Sequence, residues 1–571
     1  MSKPTVIDIF CGAGGFSEGF RQQGFEIKMG IDNWDAAITT FNHNFGLKCE
    51  KKDVFELENS VQKIEALPDT DVILGSPPCV SFSSSNKSGN TDKSLGIRLT
   101  EIFLRIVTVK KWKRDSILKA WFMENVPNSK AFLNKQYTFK ELGLKEWATE
   151  NNLSSTDVAI NLEGNNLIVN SADYGTPQAR RRVISGEIIS INELSIPPIS
   201  HRPPKEDSNL PTHIALKVIR QKLPSPYDFH PNLNFSDSLY PKIKDITLTD
   251  HFYDTGLYQC EWKHSKYLKT NHPYMGRMSF PENEEKPSRT ITATNIGNSR
   301  EAIIYRSELK RRGNGQYRNP TVRESACIMG FPLTFQFIGS QGVKSRMVGN
   351  AVCPPVSRAF AKLLRKEMGL RSINSPIVKS NPDLDSVNDL NNFSTKKFNL
   401  PPQKKKESRF RRHPFKDGNM TVTLSNYDIH KNNKKQNKWI TSVQYGSGKG
   451  FPTYNFPNEF YKSIEKIIHQ TKKGREFLSI VSNGFVKKIG NGYLLQEMYE
   501  TQRSKDGFLE PIYLIERIGR IIEQLDISDE SYSQGRNKLF KDKSEVPLKQ
   551  LYALYAINKV SSIANEVSSA R

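Results

Sequence analysis

Residues 75–86 read GSPPCVSFSSSN, placing Cys79 directly after two prolines that can continue neither a strand nor a helix. A thiol held out on such a turn is a candidate nucleophile. As a thiolate it can add to an electron-poor carbon, such as one in a pyrimidine ring, provided it is activated and partly exposed. Taken alone, a cysteine in this setting is more often a small structural residue. Addition to a ring also needs a proton donor for the ring nitrogen. The stretch MENVPN supplies Glu124, a carboxylic acid that burial would help to keep protonated, with Asn125 and Val126 placed to pin its loop. The stretch YGTPQARRRV adds Arg180 and Arg182, which share one face if the segment is a strand. Paired guanidiniums suit a base carbonyl and a phosphate, or the positioning of Glu124; a solvated basic face is the plain alternative.

A fourth candidate is the glycine turn in DIFCGAGGF. A dinucleotide fingerprint would need glycines at 12, 14 and 17, and position 17 is Ser. Neither this turn nor the later YGSGKG fits the phosphate-loop spacing, so NAD and ATP lose ground. A tight turn entering a helix still offers backbone N–H groups to a small anion, such as the carboxylate of an amino-acid-like cofactor. Asp32, after the next strand, is placed to accept from ribose hydroxyls. A tight turn without a ligand is the alternative for the loop by itself.

These residues need a frame, and the periodicity supplies one. TVIDIF, FEIKMGID, DVILGS and KAWFMENV read as buried strands. FSEGFRQQG, WDAAITTFNHNFG and LTEIFLRIVTVKKW read as helices between them. The alternation predicts a doubly wound α/β sheet, whose ligands bind at the carboxyl ends of the strands. The glycine turn then follows the first strand and Asp32 the second, with SPPC after the fourth and ENV after the fifth.

Composition bounds the rest. The chain has 571 residues, with 83 Lys and Arg against 60 Asp and Glu, for a formal net charge of +23. That length predicts several domains, and that charge a polyanionic partner, above all nucleic acid. Six cysteines without a CxxC pair argue against a disulfide scaffold and a structural zinc site, so no metal is expected. There is no apolar run of about 20 residues to span a membrane and no signal-peptide layout, so a cytoplasmic location is expected.

Together the motifs resemble those of the cytosine-C5 DNA methyltransferases. DIFCGAGGFSEGF is similar to that family's first motif, PPCVSFS to its catalytic loop, ENV to its glutamate motif and QARRR to its QxRxR motif. RESACIMGFP and GNAVCPP are similar to the last two, and the order and spacing fit across roughly residues 4–368. The resemblance implies a Rossmann-like S-adenosylmethionine-dependent fold. It also implies that Cys79 attacks C6 of a cytosine flipped out of duplex DNA. By the same resemblance Glu124 protonates or hydrogen-bonds N3 and the exocyclic amine, Arg182 assists at O2 and at Glu124, and Arg180 braces the loop or a phosphate. The cofactor contacts it implies are Phe10, Gly12, Gly14, Asp32, Trp34, Asp53, Leu99, Asn350 and Val352, with Trp34 packing on the adenine and Asp53 accepting its amino group. Asp32 and Asn33 both stand near the place of the ribose ligand. Two features depart from the family: Val80 stands where Gln is common, and a long tail follows residue 370.

The expected organisation is a catalytic domain over 1–189, a target-recognition domain over 190–310 and a return segment over 311–370. A basic, flexible linker over 371–418 then leads to a mostly helical accessory domain over 419–571. The linker composition is too polar to bury a core, and its Lys404–Lys416 strip suits phosphate contacts. The expected activity is modification of duplex DNA by a monomer, for restriction-modification or phage defence, with a cognate restriction or defence protein as a possible partner. An idle DNA-binding regulator and an RNA methyltransferase are the competing readings. The complete set of Cys79, Glu124, Arg180 and Arg182 weighs against the former, and the long recognition segment weighs against the latter.

Overall fold

The computed structural model describes residues 3–78, 94–204, 206, 208–229, 234–235, 243–244, 248, 250–270, 278–293, 299–377, 396–398, 412–417, 420–428, 433–434, 438–445, 453–501, 504–505, 507–527, 531–533 and 545–566. Cys79 and Val80 lie outside the described residues, as does most of the Lys404–Lys416 strip. The described residues divide between Lys397 and Phe398 into two compact units.

The first unit is built on a six-stranded sheet. Its elements in chain order are β1 (Thr5–Ile9), α1 (Gly15–Gln22), β2 (Glu26–Ile31), α2 (Asp35–Phe45), β3 (Val72–Gly75), α3 (Ser94–Trp112), β4 (Ala120–Asn125), β5 (Asn166–Asn170) and β6 (Arg181–Ile188). The strands lie in the order β2-β1-β3-β4-β6-β5. β1 pairs in parallel with β2 and β3, and β3 with β4. β6 runs antiparallel to β4 and β5. Side chains alternate between the two faces of a strand, and both faces are covered, so the strands read as continuous apolar runs. Val6, Val72, Leu74, Ala120 and Phe122 join the core on one face. Ile7, Ile9, Ile73, Trp121 and Met123 join the core on the other, against α3.

The doubly wound sheet expected from the pattern is present, with one difference in count. DVILG is the third strand of the chain and AWFMEN the fourth, because no strand forms between α2 and β3. The intervening KCEKKD is too charged for a buried strand. It is pinned instead by Asn42, whose side chain holds Cys49 at both backbone groups, at 2.9 and 2.8 Å.

The sheet is completed by residues far along the chain. After α4 (Val322–Ile328) and α5 (Gln341–Asn350), α6 (Pro354–Glu367) packs along α1. The approach is close enough to require glycine: a Cβ on Gly19 would meet Arg358 N at 2.4 Å, and one on Gly15 would meet Val352 O at 2.3 Å. Among the described residues between β6 and α4, the regular structure comprises helices Lys217–Lys222 and Gln259–Thr270 and short strand pairs. This stretch is also tied by buried charge, with Arg318 held by Glu308 and Glu324 and Arg323 by Asp250. Each of these ions has a fixed opposite partner, the condition under which burial of charge is tolerated.

The second unit joins a four-stranded antiparallel sheet to a set of helices. The strands, in spatial order, are β7 (Arg412–Asp417), β8 (Met420–Ser425), β9 (Ile440–Tyr445) and β10 (Thr453–Tyr454). The helices are α7 (Asn458–His469), α8 (Lys472–Ile480), α9 (Gly492–Thr501), α10 (Pro511–Gln524) and α11 (Leu548–Glu566). Val422, Leu424 and Val443 pack with Leu551, Leu554 and Ile557 of α11 in one core. Helices predominate, as the aromatic and helical patterns suggest, but the sheet was not apparent in the sequence. β7 also lies inside the stretch assigned to the linker. RHPFKD reads as basic and polar, yet it pairs along its whole length with β8 and sets Phe415 against the core.

Candidate active site

The parallel strands end on one rim, and the candidate residues gather there. β1 ends at Ile9, and Phe10 just past it has φ +60° although it is not glycine. Such a conformation is uncommon outside glycine and marks a constrained turn. Gly12 and Gly14 follow with φ +53° and +98°, so the turn into α1 depends on residues that tolerate the left-handed region. Asp32, just past β2, holds this turn in place. One oxygen accepts from Gly12 N at 2.9 Å and the other from Trp34 N at 2.9 Å. Burial raises its carboxyl above the usual range, while the backbone donors pull the other way. Beneath the turn, Asp8 accepts from Ser17 Oγ at 2.7 Å, and burial pushes its carboxyl up to about 7.

Beside this turn lies a hollow of about 280 Å³. Phe10, Asp32, Asp53 and Leu99 line it, four of the nine cofactor contacts expected from the motifs. Gly12 and Gly14 shape the turn at its edge. Trp34 is not among its lining residues; the Arg346 guanidinium stacks on its ring at 4.9 Å. Asn350 and Val352 also lie outside the lining, the latter placing its carbonyl against α1. The lining includes Asn33, set beside Asp32 in the sequence reading, and adds Lys52 and Phe55, which sequence reasoning did not assign. Phe55 stands two residues beyond Asp53, and Arg98 stacks on its ring at 4.7 Å. That second aromatic in KKDVF was the available signal.

The donor set fits a nucleoside-like cofactor. Carboxylates of Asp32 and Asp53 suit hydroxyl and amine donors, Phe10 and Phe55 provide aromatic surface, and Ile31, Val54 and Leu99 line an apolar wall. Both oxygens of Asp32 already serve the backbone, so Asn33 is the better placed of the pair for a ribose hydroxyl. Replacing Asp32 with alanine removes the anchor of the turn. It is expected to weaken binding of S-adenosylhomocysteine about tenfold, or about 1.4 kcal/mol, by calorimetric titration. Unchanged affinity would mean that the turn is held without it.

The proline turn adjoins this hollow. Pro78, the residue before Cys79, forms part of its wall. Asn125 Nδ2 donates to Pro77 O at 3.4 Å and Asn125 Oδ1 accepts from Val126 N at 2.8 Å. The proline turn and the glutamate loop are thereby joined. Glu124 at the end of β4 is buried, and Arg182 Nε stands 2.9 Å from its Oε1. The pair is close but not aligned as a hydrogen bond.

The two arginines part company. Arg180 is 3% exposed and donates to the carbonyls of Ile291, Gly349 and Ala351 at 3.0, 3.1 and 3.1 Å. It clamps two backbone segments, at 291 and at 349–351, and is buried. Gln178 acts in the same way, accepting from Ile291 N at 2.9 Å and donating to Met329 Sδ at 2.9 Å. Cys353 lies near Glu124 and both arginines, but burial pushes its thiol up, as it does that of Cys11. Neither is suited to nucleophilic attack.

Comparison with known proteins matches this geometry. A family model described as C-5 cytosine-specific DNA methylase matches residues 4–366. The type II methyltransferase M.HgiDI of Herpetosiphon aurantiacus is 29% identical over 366 residues, covering 62% of this chain and 91% of its own. M.MthTI of Methanothermobacter thermautotrophicus is 29% identical over 371 residues, covering 64% and 97%. Among solved structures, the Entamoeba histolytica methyltransferase EhMeth aligns with a TM-score of 0.40 at 17% identity, over 64% of this chain and 99% of its own. The family model spans the glycine turn, the glutamate loop and the return helix alike, so the chain belongs to the C-5 cytosine-specific DNA methylase family and is an S-adenosylmethionine-dependent DNA (cytosine-5-)-methyltransferase.

Proposed function

We propose that the chain methylates C5 of a cytosine extruded from a specific duplex DNA sequence, through a covalent adduct at Cys79. The observation that carries this reading is the joining of two strand ends beside the hollow. Asn125 ties the proline turn that precedes Cys79 to the loop of Glu124, and Pro78 of that turn lines the hollow. S-adenosylmethionine in that hollow supplies the methyl group.

The chain's own residues prepare the ring. The Cys79 thiolate forms a bond to C6, and the electrons of the C5–C6 double bond become available at C5. Glu124 meets N3 and the exocyclic amine, and so favours the electron-rich adduct. Arg182 keeps Glu124 in place and lies close enough to the site to meet O2. After C5 has gained its methyl group it loses its proton, the double bond reforms and the sulfur leaves as thiolate. Arg180 takes no part in these steps and acts by bracing the return segment. Glu124→Gln is expected to lower methyl transfer by about 10²- to 10⁴-fold with little change in DNA affinity. Radiolabelled methyl transfer to duplex DNA and to tRNA is the direct test. Transfer to tRNA alone, or to neither, would overturn the reading.

Residues 190–310 are proposed to read the DNA site, consistent with their basic and aromatic make-up. The second unit is proposed to contact DNA as an accessory domain, and protection of host DNA in a restriction-modification or defence system is the proposed role.

A further inference from the structure

The second unit, beyond the family match, contains a hollow of about 520 Å³. That volume lies in the range of small-ligand sites. One wall is α10, which presents Tyr513, Glu516, Arg517, Arg520 and Ile521 at helical spacing. The lining also takes in Ile480, Gly484 and Phe485, the last two from Val481–Phe485, wound as a single π turn that continues α8. Such turns are rare and concentrate at functional sites. A Cβ on Gly484 in this turn would meet nothing within 4 Å. Lys488 completes the rim, its carbonyl fixed by Leu509 N at 2.9 Å.

The lining divides by chemistry. Lys488, Arg517 and Arg520 are exposed at the rim, three cations against one acid. Phe485, Leu509 and Ile521 form apolar surface. Glu516 is the polar group within, its side chain 14% exposed, and its nearest cation, Arg520, stands 4.0 Å away. That spacing is too long for a hydrogen bond, so Glu516 retains capacity for another partner. Burial pushes its carboxyl up to about 7, against the pull of Arg520. Near neutrality such a group both accepts from an amine and donates to a ring nitrogen.

We propose that this hollow holds one nucleoside monophosphate unit, with the base against Glu516 and the apolar wall and the phosphate on Lys488, Arg517 and Arg520. The unit is either a free nucleotide or one carried by DNA, and the two sources share this chemistry. The proposal goes beyond the methyl-transfer reading and does not depend on Cys79.

The test uses the full chain saturated with S-adenosylhomocysteine, which fills the hollow of the first unit. If the hollow takes free nucleotide, deoxyadenosine 5′-monophosphate binds in calorimetric titration. Affinity is then at least about tenfold weaker for deoxyadenosine and for the Arg517→Ala/Arg520→Ala double variant. Glu516→Leu retains phosphate binding but loses preference for this nucleotide over thymidine 5′-monophosphate. If the hollow takes only a nucleotide carried by DNA, the mononucleotide gives no signal. The double variant then lowers the fluorescence of 2-aminopurine placed outside the target cytosine and weakens duplex affinity about tenfold. Circular dichroism identical to wild type excludes misfolding of the variant. No mononucleotide signal together with unaltered 2-aminopurine fluorescence in the double variant overturns the proposal, whatever happens to duplex affinity. A change in duplex affinity alone would mark only a phosphate contact.

Discussion

Cys79→Ala is expected to reduce methyl transfer by about 10⁴- to 10⁶-fold while leaving S-adenosylhomocysteine and duplex DNA bound with near wild-type affinity. The size of the effect follows from the chemistry. C5 of cytosine is a poor nucleophile until a thiolate has added at C6, and the two other thiols beside the site, Cys11 and Cys353, are unsuited to replace it. Cys11 and Cys353 are buried, with thiols held above their ordinary range. A duplex with 5-fluorocytosine at the target position should trap a denaturation-resistant complex with the wild type, because fluorine blocks the final loss of the C5 proton. The alanine variant should trap none. Substantial turnover by the variant, or trapping through another residue, would rule out the covalent reading.

The second large effect concerns stability and separates the two arginines of the QxRxR motif. Arg180→Met removes a buried guanidinium that serves the carbonyls of Ile291, Gly349 and Ala351. Methionine preserves much of the volume but leaves those acceptors without their donor. The unfolding transition that coincides with loss of S-adenosylhomocysteine binding should weaken by about 3–5 kcal/mol. Arg182→Met should behave differently, because its main partner is Glu124 at 2.9 Å. Its loss should appear mainly in the rate of methyl transfer, with a small shift in the urea midpoint. Equal loss of stability in both variants would refute this division of roles.

The motif alone could not have divided them. Alternation about Arg181 correctly suggests a shared face, but not what lies opposite each side chain. The partners of Arg180 come from residues 291, 349 and 351, far along the chain, and no local pattern encodes them. The same reason hides the guanidinium of Arg346 from α5, which stacks on the Trp34 ring. Local signals were dependable where the cause is local. Gly24 and Gly46 stand just past the ends of α1 and α2 with positive φ, the usual place and conformation of a helix-ending glycine. The four parallel strands were legible because burial on both faces makes each a continuous apolar run. The sheet of the second unit was not, since RHPFKD gains its strand conformation only from β8.

The meeting of α1 with α6 bears on how the chain is made. Phe122 of β4 packs on Phe360 of α6, with ring centroids 5.5 Å apart, and Gly15 and Gly19 fit against the same late segment. On the ribosome, the first strands emerge more than 200 residues before the helix that covers one of their faces. That face, with Phe16, Phe20 and Phe122, stays uncovered until translation passes residue 367 and the late helix clears the exit tunnel. The nascent chain is therefore a natural client for chaperones throughout synthesis of the residues between β6 and α6. The late segment also carries the Gly349 and Ala351 carbonyls that Arg180 clamps, so the start of β6 is not braced until that segment has been made.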